Sequence, residues 1–154
     1  MMTSRVPAAV DALLAILQAA PALAEAAIVD GPPVVNLTQL QRIHVGWQPG
    51  ADSAVSLTQA FNSAGARTRD EAFTIACYAE ARAGNTVMKE RRDEVFALVG
   101  AVETALRATN VAPTAPTLNG AVLWAHLTAG DLTQAQAEGS LAGLAFTVTC
   151  QARI

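Results

Sequence analysis

Residues 142–154 switch sides at every position. Ala142, Leu144, Phe146, Val148, Cys150, Ala152 and Ile154 form an apolar row, and Gly143, Ala145, Thr147, Thr149, Gln151 and Arg153 form the opposite one. A period of two predicts a strand with one buried face, because successive strand side chains point to opposite sides. The same alternation runs from Arg69 to Arg82, with Phe73, Ile75, Cys77 and Ala79 against Thr74, Tyr78, Glu80 and Arg82. A shorter version spans Gln41 to Trp47, where Ile43, Val45 and Trp47 share one face and Arg42, His44 and Gln48 the other. Ala26–Val29 reads as a short strand before the turn Asp30-Gly31-Pro32-Pro33. A strand opening at Gly120 pairs with the last one through a turn between Ala135 and Ser140, which makes a C-terminal β-hairpin.

Two stretches carry the helical period instead. Val6, Val10, Leu13, Leu14 and Leu17 recur at helical spacing, with Pro7 in the first turn, Ser4 or Thr3 as the cap, and Pro21 as the stop. This stretch also imitates a signal peptide, through Arg5, the apolar run Ala12–Ala20 and the small residues Ala22-Leu23-Ala24. Asp11 favours the amphipathic helix, since a carboxylate opposes export but suits a first turn. The run is also shorter than the roughly 20 apolar residues that span a bilayer. The second helix follows Gly84, is capped by Asn85 or Thr86, and runs to about Ala108 with Val87, Val95, Leu98, Val99, Val102 and Leu106 as its buried stripe. Gly100 inside that helix suggests close packing on the sheet.

Between the patterned stretches lie two connectors. Residues 49–68 hold Gly, Ser, Asn and Ala with scattered Val55, Leu57 and Phe61, and read as a long loop, a kind of segment that is usually functional or disordered. Asn110–Asn119, with Pro113 and Pro116, reads as a rigid non-helical link. The expected fold class is therefore α+β in one domain over residues 1–154. It has a single, mostly antiparallel sheet with two main helices on one face and the long loop 49–68.

Composition narrows the function classes. Apolar residues make up 52% of the 154 and charged ones 15%, which excludes a disordered tail and suggests that other subunits cover part of the surface. A net charge of −3 argues against tightly held nucleic acid. No P-loop, Gly-x-Gly-x-x-Gly, Gly-x-Ser-x-Gly or Cys-x-x-Cys occurs. His44 reads as a surface histidine and His126 as an interface one, and neither has a metal-ligand partner in sequence. Cys77 and Cys150 sit on apolar faces, either as core thiols or as one disulfide of an exported protein. Asp70, Glu71 and Glu80 lie along one strand as solvated edge charges. Asn36-Leu37-Thr38 matches a glycosylation acceptor, a signal that matters only in a secreted chain. These readings imply no catalytic residue, no cofactor and no metal. A small-molecule-binding or enzymatic α+β domain with His44 or His126 in a pocket is the competing class.

The order of patterned segments resembles the tail-terminator (tail-completion) proteins of long-tailed bacteriophages, those of actinobacterial phages above all. The segments that carry the resemblance are Val6–Leu17, Val29–Val34, Ile43–Trp47, Arg69–Gly84, Phe96–Ala108, Gly120–Ala125 and Gly139–Ile154, nearly the whole chain. The Asn110–Asn119 connector departs from the family by its length and prolines. The resemblance implies a structural homo-hexameric ring in the virion tail, assembled in the host cytoplasm. That ring caps the tube of major tail protein and meets the neck or connector, while DNA passes its lumen without specific binding and no membrane is involved. A neck or head–tail connector subunit is the related alternative. The candidate self and partner contacts are Val55, Leu57, Phe61 and Arg67 in the loop, and Thr147, Thr149, Gln151 and Arg153 on the open sheet face.

Overall fold

A computed structural model describes residues 2–34 and 37–154, so the Asn36 of the acceptor triplet lies outside the described residues. The element order is α1 (Val6–Ala19), β1 (Ala27–Asp30), β2 (Gln41–Val45), β3 (Val55–Phe61), β4 (Arg69–Ala83), α2 (Met88–Ala105), β5 (Trp124–Gln136) and β6 (Ser140–Arg153). Short 3-10 turns at Pro21–Leu23 and Ala115–Thr117 complete it. The fold is α+β with one sheet, ordered β1-β2-β4-β6-β5, and among the described residues only β1–β2 is a parallel pair.

The spine is the β4–β6 pair, which runs in unbroken register from Asp70↔Arg153 to Ala83↔Ser140. Opposed residues share a face, so Phe73, Ile75, Cys77, Ala79 and Ala81 line up with Cys150, Val148, Phe146, Leu144 and Ala142. All ten are buried, in one core with Leu13 and Leu17 of α1 and Val95, Leu98 and Val102 of α2. Small residues at Ala79, Ala81 and Ala142 let the helices approach the sheet. Both helices thus lie on one face, as the two apolar stripes predict.

The segment 49–68 is not a long loop. Val55–Phe61 is a strand that pairs with residues 69–75 of β4, on the same edge that β2 occupies at residues 77–81. The physical reason is the length of β4. β2 alone would leave half of that edge with unpaired backbone groups, and the alternating Val55, Leu57 and Phe61 provide the missing ladder.

Several smaller expectations also change. Trp47 does not share a face with Ile43 and Val45. The amides of Gly46 and Trp47 both donate to the Ala76 carbonyl, at 2.7 and 3.0 Å, with Gly46 at φ 81°. This glycine bulge opposes two residues to one and reverses the parity, which turns Trp47 to the far side. α2 starts at Met88 rather than at Asn85 or Thr86, with Val87 exposed and the Asn85 side chain accepting the Val87 amide. Gly100 is exposed, with nothing near its missing side chain. The link after α2 contains the Ala115–Thr117 helical turn, and β5 begins at Trp124 rather than Gly120.

Glu71 and Glu80 are buried, not edge-solvated. Glu71 lies on the helix face, where its carboxylate accepts the Arg5 amide at 2.8 Å and the Gln59 side-chain amide at 2.6 Å. It thereby clasps the start of α1 to β3 and β4, doing from a distance what a local cap does for a helix N-terminus. Burial raises its pKa, but hydrogen bonds from Gln59, Ser4 and the Arg5 amide and the charge of Arg69 outweigh this and hold it below the ordinary value.

Candidate assembly surface

The proposed contact residues fall into two patches on opposite faces. Val55, Leu57 and Phe61 pair with Ile75, Phe73 and Arg69, so they point to the helix side of the sheet. Val55 is half-buried there, while Leu57 and Phe61 lie beyond the reach of the helices at 47% and 67% exposure. Arg67 is exposed in the turn between β3 and β4. Thr147, Thr149, Gln151 and Arg153 lie on the other side, as their alternation with the core row requires. The structure brings each patch together and keeps the two apart.

The open face is flat, because much of it is Ala72, Thr74, Ala76, Ala145 and Thr147. Arg153 donates to Asp70 at 2.8 Å, and this pair holds the Asp70 carboxyl below its ordinary value. β5 adds to this surface through a bulge between Leu127 and Ala129. The bulge turns Thr128 outward, where its hydroxyl lies 2.9 Å from that of Thr147 and 2.7 Å from that of Thr149. Trp124 stacks on His126 beside them, at 4.7 Å between ring centres and 13° between planes. The result is a row of hydroxyls ending in an exposed aromatic pair. It suits a protein contact through side-chain hydrogen bonds and a ring platform.

At the β2 end the open face is covered. His44 is fully buried, in contrast to the surface position its polar neighbours suggest. Trp47 meets it edge-on at 5.0 Å and Tyr78 stacks at 6.2 Å. Its Nδ1 lies 3.1 Å from the Gly31 carbonyl, which as an acceptor fixes the proton on Nδ1. Burial lowers its pKa, against smaller raising effects from the Gly31 bond and Glu80. The bulge at Gly46 makes this cluster, since it delivers Trp47 as the lid. Gln48 then donates to the Phe146 carbonyl at 2.7 Å and pins the segment across the sheet.

The groups most able to do chemistry are kept apart or withdrawn. Cys77 and Cys150 are free and buried, and burial pushes both thiols up to about 12. A thiol in that state is a poor nucleophile. Among the described residues, no three His, Cys, Asp or Glu side chains gather as metal ligands. Among the described residues, no helix is long and apolar enough to cross a membrane.

One feature of the surface lies outside the residues picked from sequence. α2 and β5 diverge to leave an open apolar groove of about 360 Å³, floored by Leu144 and Phe146 and flanked by Phe96, Leu127 and Leu132. Gly100 on the helix and Gly130 on the strand create its width by having no side chains. Its signal in the sequence is Phe96, an aromatic that falls off the α2 stripe. No protein-family model matches this chain, and no curated protein is similar to it.

Proposed function

We propose that this chain is the tail terminator of a long-tailed phage, a structural subunit that closes into a ring on the end of the tail tube. The observation that carries this reading is the order of elements, a helix, four strands, a helix and a two-stranded hairpin, built on one long antiparallel pair. Apart from β3, which the segments carrying the resemblance do not include, that is the order the family resemblance implies. Two further features support it. Among the described residues the sheet has free edges at β3 and β5, and exposed apolar side chains cluster at both. Such a molecule is suited to meet its own copies and a tube of other subunits. The net charge of −3 suits a ring whose lumen repels the phosphates of passing DNA.

Electron microscopy of virions carrying a labelled copy tests the reading. A ring of label where the tube meets the neck is the expected image. Label on the portal side of the neck would instead identify a connector subunit. Label nowhere in the particle, with saturable binding of a small molecule, would favour the ligand-binding class.

A further inference from the structure

We infer that neighbouring copies join by the β3–β4 hairpin of one subunit entering the α2–β5 groove of the next. This contact deepens the ring reading and rests on it. Among the described residues no strand lies beside the outer edge of β5 from Trp124 to Gln136, and β5 contains neither proline nor lysine to discourage pairing. Among the described residues β3 likewise pairs only with β4.

The directions agree. β3 is antiparallel to β4, β4 to β6 and β6 to β5, so β3 and β5 run opposite ways within one subunit. A second copy in the same facing therefore lays its β3 antiparallel against β5, and the sheet continues without a change of pattern. In that facing Leu57 and Phe61 of the incoming strand project to the helix side, where the groove lies. Gly130 and Leu132 face the same side, opposite Phe146 and Leu144. Two exposed apolar side chains thus meet an open apolar groove able to take an aromatic ring.

Charge agrees as well. Among the described residues Arg67 has no ion-pair partner. The groove is bordered by Glu103, which within one subunit pairs with the exposed Arg107 at 3.0 Å, near the C-terminal end of α2, where the last carbonyls also favour a cation. The two surfaces are different patches of one chain, so the contact is heterologous and repeats from copy to copy, as a ring needs.

The test uses the full chain with Phe61→Asp and with Leu132→Asp, followed by light scattering and circular dichroism. Each variant alone is expected to keep the wild-type spectrum and lose the oligomer. An equimolar mixture is expected to recover a two-chain complex, because one variant keeps an intact groove and the other an intact hairpin. That recovery also shows that both variants are folded. Oligomers that persist in either variant, or a mixture that stays monomeric, overturn the contact. Capping of tail-protein tubes by wild type and both variants alike keeps the ring and sinks this interface. A wild-type chain that neither self-associates nor caps tubes overturns both.

Discussion

The hydroxyl end of the Tyr78 side chain lies over Gly143. A β-carbon at Gly143 would fall 2.7 Å from the Tyr78 Cε2, 2.5 Å from its Cζ and closer still to its hydroxyl oxygen. Gly143 is therefore a site where the absence of a side chain lets one strand's aromatic cover its neighbour's backbone. Gly143→Ala is expected to destabilise the fold by about 1–3 kcal/mol, the usual range for overpacking. Denaturant unfolding of Gly143→Ala, Tyr78→Ala and the double variant checks this. The double variant should lose less than the sum, because removing the ring frees the space. Additive losses would separate the two residues.

Glu71 joins α1 to the sheet through buried hydrogen bonds, so Glu71→Ala is expected to cost about 1–3 kcal/mol. The acid response follows from its lowered pKa. Its contribution is complete above the ordinary glutamate range and is lost as pH falls through the folded value. Unfolding midpoints of wild type and Glu71→Gln should therefore converge as the solution is acidified. A gap that widens at low pH would assign the clasp to another group.

His44 has its proton on Nδ1 and is buried in the neutral form. A depressed histidine pKa contributes stability above the unfolded value, near 6.5, that declines as pH falls toward the folded one. Wild type should lose stability in that interval, and His44→Phe should lose less of it. Nitrogen chemical shifts of the imidazole give a direct reading, and a ring protonated at pH 6 would contradict the buried geometry.

Cys77 and Cys150 should resist alkylation at pH 8 in the native protein and react once it is unfolded. Thiol titration with and without denaturant measures this. Rapid labelling of either native thiol would indicate that the core opens at β4 or β6.

The long strands were legible because both lie in the middle of the sheet with one face on the helices. Phe73 to Ala79 and Ala142 to Ala152 keep their period of two wherever that face is buried. β3 was harder to read because it is an edge strand, whose Ser56, Thr58 and Ala60 face solvent and whose apolar residues are few. Its need is set by the length of β4, a fact that resides in another part of the chain. Trp47 defeated the parity rule through one backbone bulge, and the burial of His44 followed from it. Glu71 illustrates a similar limit, since its partners Arg5 and Gln59 are brought to it only by the fold. As for the candidate surface, alternation identified the open row Thr147–Arg153. The groove was missed because glycines leave space rather than signal.

The register of β4 with β6 has a consequence for synthesis. Asp70 and Arg153 are 83 residues apart, and α2 and β5 are made between them. Pairings this distant close slowly, since the chain loses the entropy of the whole intervening loop before any ladder forms. As β6 leaves the ribosome after the other elements, β4 must wait with its inner edge bare while β2 and β3 settle on the outer one. During that interval the nascent chain offers a long, apolar strand to any similar strand nearby. The burden on chaperones should then fall in the interval before β6 emerges and pairs with β4.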